Sequence, residues 1–237
     1  AVEGHDAVVN LVALSPLFKP KGGNKMHDEI HRHGTENLVR AAEKGGVDRF
    51  VQMSALGADP EGATAYIRAK GQAETHVMES ELDWVIVRPS VVFGEGGEFV
   101  SFTKKLAPPF ITPLPGGGKT QFQPIWVGDL VPMLADAVDD DTHIGQTYEL
   151  GGPDVLTLAA VAKLAHAVDG RSVTVLPVPM GLAGIGLSVA GNIPGFPMGA
   201  DQYRSLKFDN TTDDNDVSAF GLTEADLTSL SAYLGVE

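Results

Sequence analysis

The sequence predicts an α/β fold, in which a parallel sheet carries helices on both faces. The first observation is the apolar run at 7–14, which is typical of a strand buried on both faces of a parallel sheet. The second is the regular alternation of predicted helices and strands that follows it, at 26–45, 48–54, 64–79 and 83–88. Because strands joined by helices form right-handed βαβ units, this order predicts a doubly wound parallel sheet.

The second half of the chain continues the alternation but adds loops rich in glycine and proline. After Arg88-Pro89 we expect a helix at 98–106, a loop at 108–118, a strand-like stretch at 122–126, a helix at 129–138 and a strand at 147–150. After Gly151-Gly152-Pro153 we expect a helix at 157–168, a strand at 172–176, an apolar glycine-rich segment at 180–193 and a final helix at 223–234.

The composition limits the classes of partner. The chain has 31 Asp and Glu residues against 17 Lys and Arg, a formal net charge of −14. Nucleic-acid binding is not expected, because neutralising phosphates requires clustered Lys and Arg. No integral membrane segment is expected either, since no apolar run reaches about 18 residues. There is no cysteine, so disulfides and cysteine-bound metals are excluded.

Acidic residues cluster at 139–141 and again at Asp213, Asp214 and Asp216. Two interpretations remain open: an ordinary acidic surface that keeps the protein soluble, or adaptation to high salt, where screening suppresses self-repulsion. We expect a cytoplasmic protein, since no secretory signal is visible in the sequence.

Three residues can perform acid–base chemistry on a hydroxyl or carbonyl group. Tyr66 and Lys70 are four residues apart in a predicted helix, so they share one face and lie roughly 6 Å apart along its axis. A nearby ammonium lowers the pKa of a phenol, which can then exchange a proton with a substrate oxygen. Ser54 ends a predicted strand, where open α/β sheets bind ligands, and could hydrogen-bond the same oxygen.

Three other features have simpler interpretations. The run 116–120, Gly-Gly-Gly-Lys-Thr, lacks the glycine spacing of a phosphate-binding loop and is better interpreted as a loop on the substrate side. Segment 178–193 could lie on a membrane surface, but it lacks a basic face, which favours core packing or a pocket lid. His27, His31 and His33 are close in sequence, and we expect a solvated helix face there rather than a metal site.

Several motifs of this chain resemble, in their order and spacing, those of the extended and atypical short-chain dehydrogenase/reductase superfamily. Together these motifs span nearly the whole chain. Those motifs are Gly34-Thr35 with the helix after it, Val47–Ser54, Tyr66 with Lys70, Arg88–Gly94, Pro124–Leu130 and Thr147–Pro153. The segments Ser54–Ala58 and Pro115–Gln123 are most similar to the atypical branch. That branch contains the NAD(P)H-binding accessory subunit of respiratory complex I and annotated sugar-nucleotide epimerases.

The resemblance implies a Rossmann-type sheet, a small C-terminal α/β part that contacts the substrate, and NAD or NADP as cofactor. It implies that Tyr66 exchanges the proton, that Lys70 lowers its pKa and holds the nicotinamide ribose, and that Ser54 polarises the substrate oxygen. Ala13, Pro89, Ser90 and Val91 would line the cofactor. The substrate would be a small molecule. The alternative is a non-catalytic NAD(P)H-binding or assembly protein, as in complex I.

The resemblance also divides the chain into expected parts. These are a Rossmann remainder at 1–92, a substrate-side loop and helix at 93–123, a return to the Rossmann sheet at 124–150, and a C-terminal substrate part at 151–237.

The chain departs from the family pattern at two places. His31 stands where the family often carries an asparagine, which relays protons and holds the helix geometry. No Gly-x-Gly-x-x-Gly or Gly-x-x-Gly-x-x-Gly motif follows a strand, and the family's first three strands have no counterpart in the sequence. At about 30 residues per βαβ unit, this predicts that roughly 60 or more residues precede Ala1 in a longer protein.

Overall fold

The computed structural model describes residues 2–106, 108, 110–184 and 199–236. Its strands in chain order are β1 Ala7–Asn10, β2 Arg49–Met53, β3 Asp83–Pro89, β4 Val92–Phe93, β5 Phe110–Pro115, β6 Gln121–Phe122, β7 Ile125–Trp126, β8 Gln146–Leu150, β9 Leu156–Thr157 and β10 Val173–Val178. Four of them form the main sheet, in the order β1-β2-β3-β8, and every pair is parallel. The predicted parallel α/β sheet is therefore confirmed.

The helices in chain order are α1 Lys25–His27, α2 Gly34–Gly45, α3 Ala65–Met78, α4 Glu98–Leu106, α5 Val127–Asp139, α6 Leu158–Ala167, α7 Ala200–Ser205 and α8 Leu230–Leu234. A π-helical segment, Asp28–His33, joins α1 to α2. Within the described ranges, every helix is too short or too polar to cross a bilayer.

Helices cover both faces of the sheet because successive strand residues point to opposite sides. Phe50 and Ile86 pack with residues of α2 and α3 in one apolar cluster. Their neighbours Val51 and Val85 pack with α5 residues in a second cluster on the opposite face. All four side chains have no exposed surface, which explains the continuous apolar runs that the sequence shows for these strands.

Local signals define the ends of α2 and α3. Helix α2 ends at Gly46, whose φ of 71° lies in the left-handed region that glycine adopts without strain. Helix α3 begins after Thr64, whose side chain accepts a hydrogen bond from the Ile67 backbone N–H. A Cβ atom at Gly71 would lie 2.3 Å from the backbone of Asp59 and Pro60, so only glycine lets α3 approach the loop that follows β2 this closely.

The predicted strand at 7–14 is wrong beyond Asn10. The Asn10 side chain donates to Gln52 Oε1 at 2.9 Å and accepts a hydrogen bond from the Val12 N–H at 3.2 Å. This local turn competes with the sheet ladder and ends the strand. Leu11 and Val12 are 53% and 54% exposed, rather than buried on both faces.

Three predictions in the second half also need correction. The final helix predicted at 223–234 is a 3-10 turn at Glu224–Asp226 followed by the short α8. The chain is extended between them, because the Thr228 N–H donates to Asp129 Oδ2 at 2.7 Å instead of continuing a helix. The strand-like stretch at 122–126 splits into β6 and β7, and the loop predicted at 108–118 contains β5, which pairs with β10.

Candidate active site

All seven residues predicted for catalysis or cofactor contact line one cavity of about 450 Å³ at the carboxyl ends of β2 and β3. We call it the proximal cavity; its predicted members are Ala13, Ser54, Tyr66, Lys70, Pro89, Ser90 and Val91. They come together because parallel strands β2 and β3 end at the same edge of the sheet, and α3 returns across that edge. Carboxyl ends of strands are the usual ligand position in open α/β sheets.

Ser54 directly follows β2 and is held by its backbone, since its N–H donates to Val87 O at 2.7 Å. Its hydroxyl is buried and has no hydrogen-bond partner among the described residues. An unpaired buried hydroxyl costs free energy, so such groups usually find a partner. The Ser54 side chain is therefore suited to a bond with a ligand oxygen in the proximal cavity.

Lys70 is only 2% exposed, and its Nζ donates a hydrogen bond to Met53 O at 2.8 Å. Burial lowers the pKa of Lys70 to about 8, and the nearby Glu74 carboxylate opposes part of that shift. Glu74 is itself buried and is paired by the Arg88 guanidinium at 2.9 and 2.6 Å. An ammonium carries three protons, so Lys70 keeps donors for a ligand beyond its bond to Met53.

Tyr66 lies between the proximal cavity and a second cavity, also of about 450 Å³, and contributes to the lining of both. We call the second the distal cavity; its lining includes Ile67, Phe99, Phe102, Phe122, Leu158 and Phe208. Burial raises the pKa of Tyr66 well above its ordinary value, so the phenol keeps its proton near neutral pH. Among the described residues, its hydroxyl has no hydrogen-bond partner, which leaves it available to a ligand.

The expectation of a solvated face at His27 and His31 is wrong. Both are nearly fully buried, their rings stack at 5.7 Å, and the edge of each meets Tyr66, with ring centroids 5.6 and 5.2 Å apart. Burial lowers the pKa of His27, and it lowers that of His31 to about 3, with the charge of Lys70 adding to the second shift. Both imidazoles are therefore neutral near pH 7. No sequence pattern indicates this burial, because the contact of the two histidines with α3 is tertiary.

Asn210 also belongs to the site, although no sequence pattern pointed to it. Its side-chain oxygen accepts hydrogen bonds from Ser90 Oγ at 2.8 Å and from the Val91 N–H at 3.0 Å. The residue lines both cavities, as Tyr66 does. Asn210 thereby fixes the segment after β3 to the C-terminal part of the chain.

Asp201 of α7 joins the same two parts of the chain at another point. Its Oδ2 accepts a hydrogen bond from the Ala65 N–H at the start of α3, at 2.9 Å. Its Oδ1 is paired with Arg204 at 2.7 Å. A carboxylate at a helix N-terminus is stabilised by the helix dipole, so this contact holds α7 against the start of α3.

Two further sequence features lie away from the cavities or outside the described residues. Residues 116–120 line neither cavity, although Thr120 is hydrogen-bonded to Leu158 and Leu206, which line the distal one. Most of segment 178–193, interpreted as core packing or a lid, falls on residues 185–193, which lie outside the described residues. Among the described residues, one group has metal-ligand geometry, Asp136, Asp140 and His143, and it involves none of the predicted site residues.

Comparison with known proteins identifies the cofactor class. A family described as NAD(P)H-binding matches residues 1–107. NADH dehydrogenase (ubiquinone) 1 alpha subcomplex subunit 9, mitochondrial, from Arabidopsis thaliana is 34% identical over 167 residues, which cover 68% of this chain and 40% of that protein. UDP-glucose 4-epimerase from Vibrio cholerae is 28% identical over 199 residues, which cover 73% of this chain and 60% of that protein.

Solved structures agree on the fold. A nucleoside-diphosphate-sugar epimerase from Staphylococcus aureus superimposes with a TM-score of 0.69 at 18% identity, covering 98% of this chain and 77% of that one. A UDP-glucuronic acid 4-epimerase from Bacillus cereus, solved with UDP-glucuronic acid and NAD, gives a TM-score of 0.66 at 17% identity, covering 98% of this chain and 74% of that one.

The chain therefore contains an NAD(P)-binding domain of the Rossmann type. By sequence it is similar to subunit 9 of mitochondrial NADH dehydrogenase and to a UDP-glucose 4-epimerase. The chain spans less than half the length of the NADH dehydrogenase subunits, 40% of the Arabidopsis protein and 47% of the Mus musculus protein.

Proposed function

We propose that this protein is an NAD(P)-dependent oxidoreductase or epimerase that acts on a hydroxyl or carbonyl group, with Tyr66 as the acid–base residue. The observation that carries the proposal is the position of Tyr66, whose side chain lines both the proximal and the distal cavity. The proximal cavity is also lined by Ser54 and Lys70. It lies at the carboxyl ends of the strands, where Rossmann folds bind dinucleotides. A substrate in the distal cavity would meet the cofactor beside the Tyr66 hydroxyl.

The residues of the proximal cavity fit an NAD(P) cofactor. Lys70 retains donors for the hydroxyls of a ribose, and Pro89, Ser90 and Val91 supply a backbone segment held in place by Asn210. When bound, the reduced cofactor would supply a hydride and the oxidised cofactor would accept one. The unpaired Ser54 hydroxyl would then donate a hydrogen bond to the substrate oxygen and polarise it.

Proton transfer falls to Tyr66. Because its pKa is raised by burial, the phenol carries a proton that it can donate to a substrate oxygen as negative charge develops there. The tyrosinate that remains is stabilised by the ammonium of Lys70, one turn further along α3. Lys70 has a pKa of about 8, so it is mostly charged at neutral pH, and activity should fall at higher pH as that charge is lost.

The test is the Tyr66→Phe variant, which removes the hydroxyl and keeps the ring packed against His27 and His31. We expect turnover with a panel of ketones, aldehydes and quinones to fall by about 10²- to 10⁴-fold. NADPH affinity, measured by calorimetry, should stay within about twofold. Tyr148→Phe is a matched control, because Tyr148 bonds His143 and lines neither cavity. Turnover at the wild-type rate in Tyr66→Phe would remove Tyr66 from the mechanism.

A non-catalytic NAD(P)H-binding or assembly protein is the second candidate. Two observations favour it: Lys70 donates its hydrogen bond to Met53 O, and the pKa of Tyr66 is raised rather than lowered. The relatives named as NADH dehydrogenase subunits are in line with this role. Such a protein would bind NADPH but oxidise it with no member of the panel. The cytoplasmic location stays a prediction, since those relatives are named as mitochondrial.

A further inference from the structure

We propose that the distal cavity accepts an uncharged, largely apolar substrate with a single carbonyl or hydroxyl near Tyr66, and excludes nucleoside-diphosphate substrates. The inference rests on the proposed function, because it names the substrate class of that same site. Side chains that are aromatic or aliphatic form much of the wall: Ile67, Phe99, Phe102, Phe122, Leu158 and Phe208. A wall of this kind favours apolar ligands, because removing their surface from water is the main source of binding free energy.

The charges around the distal cavity oppose an anion. Among the described residues that line it, none is Lys or Arg, and three are aspartates: Asp59, Asp201 and Asp209. A diphosphate bound in this cavity would lose its hydration next to carboxylates. No described Lys or Arg side chain lines the cavity to compensate for that loss. Burial of an unpaired charge is costly, and phosphate recognition normally depends on Arg or Lys.

Two basic side chains that neighbour cavity-lining residues in the sequence already have partners within the protein. Arg204 pairs with Asp201 at 2.7 Å, and the Lys207 ammonium lies over the Tyr203 ring, 4.8 Å from its centroid. His27, which does line the cavity, has its pKa lowered by burial and is neutral near pH 7. Segment 185–198, outside the described residues, contains no Lys, Arg or His in its sequence and so brings no cation.

The N-terminus of α3 also borders the distal cavity and could in principle hold a phosphate. Two of its first three N–H donors are taken, however. The Ala65 N–H donates to the Asp201 carboxylate at 2.9 Å, and the Ile67 N–H donates to Thr64 Oγ1 at 3.3 Å. The protein's own carboxylate therefore occupies the position where a helix would bind an anion. The oxygen of a bound substrate is left with the hydroxyls of Tyr66 and Ser54 as its partners.

The experiment measures displacement of an uncharged fluorescent probe, N-phenyl-1-naphthylamine, from the full chain. We expect 2-decanone to displace the probe, and we expect decanoate, which has the same chain length but carries a charge, to displace it at least about tenfold less well. UDP-glucose should not displace it at millimolar concentration. Displacement by UDP-glucose at concentrations similar to 2-decanone would overturn the inference, as would equal displacement by decanoate.

Variants locate the probe. Phe208 lines the distal cavity and is 57% exposed, so Phe208→Arg adds a cation at its wall and should weaken probe binding about tenfold. Leu176→Arg is the matched control, because Leu176 is 54% exposed and lines neither cavity. Equal effects of the two variants, or no effect of either, would also overturn the inference.

NADPH affinity is measured in parallel on the same samples. Loss of NADPH binding or turnover with the probe results intact would count against the proposed function and not against this cavity. Intact NADPH binding with strong UDP-glucose displacement would count against the cavity assignment alone.

Discussion

Replacing Lys70 by methionine should stabilise the protein at neutral pH while removing a residue proposed for its function. Lys70 is 2% exposed, and burial lowers its pKa from 10.5 to about 8. At 1.36 kcal/mol per pKa unit, keeping the ammonium charged inside the fold costs about 3 kcal/mol near pH 7. Methionine has a similar length and carries no charge, so it fills the same space without that cost.

One favourable contact is lost in the Lys70→Met variant. Lys70 donates to Met53 O at 2.8 Å, but Gln52 Nε2 also donates to that oxygen, at 3.0 Å, so the carbonyl keeps a partner. Loss of one hydrogen bond costs about 1 kcal/mol. The net gain expected for the variant near pH 7 is therefore about 2 kcal/mol in the free energy of unfolding.

The pH dependence provides a sharper test than the absolute value. Because the folded pKa of Lys70 lies below the unfolded one, the unfolded chain binds more protons between pH 8 and 10.5. The contribution of Lys70 to wild-type stability should therefore rise across this window and be lowest below pH 8. Urea unfolding from about pH 7 to pH 10 should show the advantage of Lys70→Met shrinking by about 2 kcal/mol.

Lys163→Met is the control, because Lys163 is exposed on α6 and its replacement removes an ammonium from the surface rather than from the interior. If the wild-type and Lys70→Met curves ran parallel from about pH 7 to pH 10, Lys70 would not be buried as a perturbed ammonium, and the reasoning would be refuted.

Two further predictions concern charge. Glu74→Ala should lower the free energy of unfolding by about 2 kcal/mol in urea melts, because Glu74 is a buried carboxylate that accepts two hydrogen bonds from the Arg88 guanidinium. Glu79→Ala is the control and should change this free energy little, because Glu79 is exposed. Equal effects of the two variants would contradict the importance of the Glu74–Arg88 pair. The thermal midpoint should rise between about 0.1 M and 1 M KCl, because screening relieves repulsion within a chain of net charge −14. Sucrose serves as the control for general exclusion effects, and a midpoint unchanged or lowered by KCl would mean that the acidic surface only confers solubility.

Periodicity and spacing were sufficient to predict the main sheet. The apolar stretches at 48–54 and 83–88 became adjacent parallel strands because each must be buried on both faces, and α2 and α3 cover one face while α5 covers the other. Tyr66 and Lys70 share a helix face by geometry alone, and Ser54 lies at a strand end for the same kind of reason. For these residues the sequence was informative because the relevant distances are local or follow from βαβ connectivity.

Contacts between distant segments could not be predicted. The sequence did not indicate that Asn10 would turn inward and end β1, since this depends on partners 25 and 42 residues away. It did not indicate that His27 and His31 would be buried against Tyr66, because a helix with three histidines is also compatible with solvent. In each case the outcome depends on which surface packs over the polar group, and for the two histidines burial then lowers the pKa.

The sequence by itself determined the fold class and the cofactor family, and it put Ser54 at a strand end and Tyr66 and Lys70 on one face of a helix. Only the tertiary structure decided what surrounds these residues: it brought α4, α6 and α7 together around the distal cavity and set Tyr66 between two cavities. It also filled the N-terminus of α3 with Asp201, which comes from 136 residues further along the chain. The physical reason is that periodicity reports which face of an element is buried, whereas the charge and shape of a cavity depend on which remote side chains close it.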